Sequence, residues 1–253
     1  MKINRFLPLI IPVLSFILTE MFYYSPKMIY ISTAIILASF AFTARQFVIA
    51  SNKAEKWWNY FILPALFSLN LIVFSTMVSD TFLLQVLFVL NLVFLYMYFR
   101  SIFYYLTEHS KYKEHSMENF SSFINFLSVY FLASGIYGLQ SFLNAPIWLL
   151  MIIFLAEICL IIYQVMWANK INLKMGFFYI IIAGLTMLEL AWSISFLTLS
   201  YYILGLIVVV CYYILIGMIR FYLLGTLTAT QIKQYLIFGF SSILVVLFTA
   251  RWM

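Results

Sequence analysis

Two glutamates, Glu157 and Glu189, sit inside long apolar runs of the chain and are the first residues that invite a chemical reading. An ionisable side chain surrounded by hydrocarbon is costly and marks a functional hypothesis by default. Counted from the nearest turn residues at 1.5 Å per residue, Glu157 is expected about 16 Å and Glu189 about 12 Å inside their helices. Asn70 and Asn91 come out at about 12–15 Å by the same count. The four polar groups are thus expected in one layer, with no Lys or Arg at that depth. Such a layer suits a proton- or cation-coupled site. It also suits side chains hydrogen-bonded across helix contacts as glue, and the glue is the plainer reading.

Three arginines form a second group. Arg45, Arg100 and Arg220 each fall near the far end of an apolar run, about 25–30 Å from its opposite boundary, which is a headgroup level. There they can hold an anionic lipid or a phosphorylated polyprenyl group. They can equally snorkel and anchor their helices. Gln164 takes the same place in a third run.

The triplet Glu-His-Ser occurs at 108–110 and again at 114–116. His and Glu are metal ligands, but a six-residue offset matches no standard cluster, so a solvated loop without metal is expected. His-Glu-x-x-His, Gly-x-Ser-x-Gly, a Walker loop and CxxC do not occur in the sequence. Both histidines lie in one loop, and no apolar run has a Lys at its middle. No haem, retinal or other cofactor is therefore expected. Acid–base catalysis needs a positioned base beside a substrate-binding group, and no such pair is visible.

The elements that carry these residues follow from composition. The 253 residues are 66% hydrophobic and 9% charged. A soluble domain is about 45–50% apolar and about 25% charged, so a water-soluble fold is excluded. The two cysteines, Cys159 and Cys211, both lie in apolar runs and read as inert packing residues rather than a disulfide. Charged segments at 52–56, 107–118 and 169–174, and a weaker polar one at 231–234, separate apolar stretches at 6–50, 57–106, 119–168 and 175–224. A 50-residue helix would be about 75 Å long against a hydrocarbon core of about 30 Å, so each stretch must turn back once. Ser25-Pro26, Ser79-Asp80, Asn144-Ala145-Pro146 and Thr198-Leu199-Ser200 supply the turns. A last run at 234–250 completes nine spans. The expected fold is an all-α polytopic transmembrane helical bundle, a single transmembrane domain over 1–253.

Basic residues set the expected orientation. With the N-terminus cytoplasmic, Lys2, Arg5, Arg45, Lys53, Lys56, Arg100, Lys111, Lys113, Lys170, Lys174, Arg220 and Lys233 lie inside, and only Lys27 and Arg251 outside. That is 12 of the 14 Lys and Arg residues, a strong positive-inside bias. The C-terminus then lies outside. The net charge of +6 reads as topology, not as nucleic-acid binding.

The C-terminal part, with Glu189-Leu-Ala-Trp-Ser-Ile-Ser-Phe, Leu199-Ser-Tyr-Tyr-Ile-Leu-Gly, Phe238-Gly-Phe-Ser-Ser-Ile-Leu and Thr249-Ala-Arg-Trp-Met, resembles uncharacterised polytopic membrane proteins of candidate-phyla bacteria. The resemblance implies a bacterial cytoplasmic membrane and no catalytic residue. Three functions stay open. The first is a non-catalytic protein that binds or passes a small or lipidic ligand, or scaffolds membrane partners or its own copies. The second is a coupled transporter using Glu157 and Glu189, and the third a lipid-modifying enzyme.

Overall fold

The computed structural model describes residues 5–51, 55–108, 112, 116–171 and 173–250, with the side chains of 173–175 outside that set. Lys2, Lys53, His109, Lys111, Lys113, Glu114, His115, Arg251 and the side chain of Lys174 therefore lie outside the described residues. Among the described residues nine α-helices follow in order: α1 (Leu7–Tyr24), α2 (Ile29–Ser51), α3 (Trp58–Ser75), α4 (Thr81–Thr107), α5 (Ser116–Leu143), α6 (Ile147–Ala168), α7 (Leu173–Ile194), α8 (Tyr201–Leu223) and α9 (Ala229–Thr249). Among the described residues there is no strand. Each helix is long and apolar enough to cross a membrane. The reason is elementary. Hydrocarbon offers backbone amides no partner, so a spanning chain must satisfy them within itself. The chain is an all-α, multi-pass membrane protein.

The turns form where the turn residues stand. Asp80 caps α4, its carboxylate accepting from the Phe82 amide at 2.8 Å. Asn144 takes a left-handed φ of 50° ahead of Pro146, a conformation that Asn tolerates. One boundary differs from the sequence reading. The link before the last helix is at 224–228, and Gln231 to Gln234 lie inside α9. Thr228 accepts from the Gln231 amide, and the Gln231 side chain accepts from the Thr228 amide. The polar residues read as a loop are thus a reciprocal helix cap. Gly225, at φ +69°, makes the preceding turn.

The chain divides into two compact units, 1–124 and 125–253. In the first, α1 packs along α4, and α2 packs on α1, α3 and α4. Phe40, Phe47, Phe99 and Phe103 interleave between α2 and α4 at ring separations of 5.5–6.5 Å. The second unit packs α6 on α7, α7 on α8 and α8 on α9. Its part of α5 meets α8 at Gly205, where a Cβ would stand 2.9 Å from the Ser134 amide nitrogen. Ser134, a small residue, thus marks one side of a close helix contact. The Tyr137 hydroxyl donates to the Ala191 carbonyl at 2.7 Å, tying α5 to the last turn of α7.

Candidate functional site

Glu157 and Glu189 lie on neighbouring helices, but the α6–α7 contact is made by other residues. A Cβ on Gly184 would meet Cys159 Sγ at 2.6 Å and Leu155 Cδ1 at 3.5 Å, so those two side chains face α7. At 100° per residue, Glu157 is turned about 160–200° from them. Glu189 is turned about 140° from Gly184 by the same count, and it is exposed. The depths differ as well. α7 ends at Ile194, which puts Glu189 about 8 Å from that end, while Glu157 lies about 15 Å from the start of α6. The two carboxyls are therefore not across the α6–α7 contact from each other; Glu157 is half-buried, with its Oε2 covered, while Glu189 is exposed.

Asn91 is fully buried in α4 and links three helices of the first unit. Its Oδ1 accepts from the Ser68 hydroxyl at 3.1 Å, and its Nδ2 donates to Ser15 Oγ at 3.5 Å. Asn70 is buried in α3 and is itself engaged in an interaction. A buried amide satisfied on both ends fixes which helices meet and in what register.

Two polar contacts were missed by the sequence reading. Asn125 on α5 donates to Gln164 Oε1 on α6 at 2.5 Å, and both side chains are 1% exposed. Asn125 Oδ1 and Gln164 Nε2 have no further hydrogen bond among the described residues. Near the other boundary of the first unit, Gln85 donates to the Glu20 carboxylate at 3.2 Å. The only signals for either were polar letters inside apolar runs.

The arginines have different surroundings. Arg45 is exposed on α2. Arg100, exposed on α4, lies against the rings of Tyr96 and Tyr104, 5.7 and 5.4 Å from their centroids. Its Nη1 donates to the Tyr96 hydroxyl at 3.0 Å. Arg220, half-buried on α8, lies 5.0 Å from the Phe221 ring and hydrogen-bonds Tyr235 of α9. Gln164, at the matching place in its run, is a buried helix-contact residue instead.

A groove of about 390 Å³ opens between α7 and α8, lined by Leu190, Cys211, Ile214, Leu215, Met218 and Ile219. Every lining residue is apolar. The α8 row spans about 12 Å along the helix axis. Tyr222, one turn beyond Met218, packs against Tyr179 at a ring separation of 6.0 Å. A strip of hydrocarbon surface thus ends at a pair of phenols. Among the described residues no cluster of His, Cys, Asp or Glu has the makings of a metal site.

The model of the family described as "Protein of unknown function (DUF5656)" matches residues 9–249, and the chain belongs to that family. No curated protein and no solved structure matches the chain.

Proposed function

We propose, with that family membership as the premise, that this is a non-catalytic multi-pass membrane protein that binds the hydrocarbon chain of a membrane lipid. The observation that carries the reading is the α7–α8 groove. Its volume falls within the range of about 300–1,000 Å³ usual for ligand sites, and its lining offers an acyl chain nothing but apolar contacts. The Tyr179–Tyr222 pair supplies the amphipathic rings that favour a membrane–water interface. The N-terminus faces the cytoplasm and the C-terminus the outside, in keeping with the basic residues. The resemblance of the C-terminal part supports a bacterial cytoplasmic membrane.

The test is photo-crosslinking of the full chain in bilayer discs with a phosphatidylcholine whose acyl chain carries a diazirine. Adducts are expected on the peptide 211–219 and are expected to fall when Leu215→Trp fills the groove. Adducts spread evenly over the lipid-exposed helices, unchanged by Leu215→Trp, would remove the reading.

A further inference from the structure

On α4, Tyr96, Arg100 and Tyr104 follow one another at four-residue intervals, so they stand on one face, one turn apart. Arg100 has a phenol ring on either side, 5.7 and 5.4 Å from the guanidinium carbon. It donates to the Tyr96 hydroxyl at 3.0 Å. The guanidinium is therefore held against the helix rather than extended, yet the residue is exposed. It lies 19 residues beyond Thr81, or about 29 Å along the axis, the thickness of one hydrocarbon core. α4 carries no Asp or Glu in its 27 residues to neutralise it.

We propose that Tyr96, Arg100 and Tyr104 form a clip for the phosphate of an anionic lipid headgroup. A guanidinium has five N–H donors in a planar fork, and the Tyr96 hydroxyl engages only one of them. The rest match a phosphate geometrically, two parallel N–H donors to two oxygens. A fork already fixed by two rings loses little further freedom on binding. The depth of Arg100 is the depth of a headgroup, and the helix offers no competing carboxylate. Arg220 differs, being half-buried and engaged by Phe221 and Tyr235. The clip is on the first unit and stands on its own observation, whether or not the α7–α8 groove takes a chain.

The experiment is native mass spectrometry of the full chain in neutral detergent with equal phosphatidylglycerol and phosphatidylcholine added. The wild type is expected to retain phosphatidylglycerol preferentially. Arg100→Gln should lower that preference about tenfold, the scale of one charge-assisted pair. Arg100→Lys, which keeps the charge but not the fork, should also lose most of it. The double variant Tyr96→Phe with Tyr104→Phe keeps charge and rings, tests the clip even if Arg100→Gln fails to fold, and should lower the preference severalfold. Equal retention by wild type and Arg100→Gln overturns the clip. An unchanged preference in the double phenylalanine variant also overturns it. Displacement of the lipid by millimolar inorganic phosphate would assign the clip to free phosphate and overturn the lipid source.

Discussion

The Tyr98 hydroxyl donates to the main-chain oxygen of Tyr60 at 3.3 Å, and that oxygen is the acceptor that Pro64 leaves without an amide. Proline at position 64 has no N–H for the carbonyl four residues earlier. Both tyrosines are at most 1% exposed, so water does not make up the loss. A side chain from α4 thus completes the backbone of α3. Tyr60 in turn donates its own hydroxyl to Glu55, which ties the segment before α3 to the same point.

Tyr98→Phe should therefore destabilise the protein by about 1–2 kcal/mol, the cost of stranding a buried carbonyl. In a Pro64→Ala background the returned amide should satisfy Tyr60, and the same substitution should cost almost nothing. Thermal unfolding of the four proteins of this double-mutant cycle measures the coupling. Equal costs in both backgrounds would refute the link.

The glycines of the second unit should rank by what their neighbours can yield. Gly205→Ala sets a Cβ against the Ser134 backbone and should cost about 3 kcal/mol, at the upper end for overpacking. Gly239→Ala meets the Ile214 side chain at Cδ1 and Cγ1 but no backbone, so a rotamer change can relieve it and it should cost about 1 kcal/mol. Ile214→Ala should relieve Gly239→Ala and leave Gly205→Ala unrelieved. Unfolding midpoints in detergent give the order.

Asn125→Leu should cost about 1–3 kcal/mol, because it strands the Gln164 amide in the core. Adding Gln164→Leu should cost less than the sum of the single changes. A strictly additive pair would show that the two amides do not depend on each other.

Glu157→Gln and Glu189→Gln should act independently, since the two carboxyls do not face each other across the α6–α7 contact. The double variant should match the sum of the singles within about 0.5 kcal/mol. A larger coupling in stability, or in any pH-dependent response, would bring back a shared site.

Orientation is checked by single cysteines in a chain lacking Cys159 and Cys211. Labels at Ser79 and Asn144 are expected from outside, and labels within 107–118 only from the cytoplasmic side. The reverse pattern would overturn the reading of the basic residues.

All nine spans were legible in the sequence, because apolar runs too long for one crossing leave no alternative to a hairpin and Ser25-Pro26, Ser79-Asp80 and Asn144-Ala145-Pro146 say where each turns. The site residues were legible only as letters. Glu189 looked level with Glu157 because the end of α7 was placed at the Thr198 turn, whereas the helix stops at Ile194. Gln231 looked like loop because a capping side chain and a solvated one are the same residue type. Asn125 gave no sign of Gln164, since periodicity in a helix apolar on every side does not say which face meets which neighbour. The groove was invisible for the same reason. Leu215 and Met218 have the composition of any lipid-facing row.

Only Gly239 of α9 is buried, and its neighbour in the structure is α8, met through Gly239 against Ile214 and Gly217 against Tyr235. Apolar side chains gain nothing by leaving lipid for another apolar helix, so only close packing holds such a pair. The α8–α9 seam is thus expected to be the most readily opened of the helix contacts. On solubilisation α9 should be the first helix to swing away, while the seven spans before α8 keep their contacts. Preparations in harsher detergents would then hold two species of identical mass, differing in whether that one seam is closed.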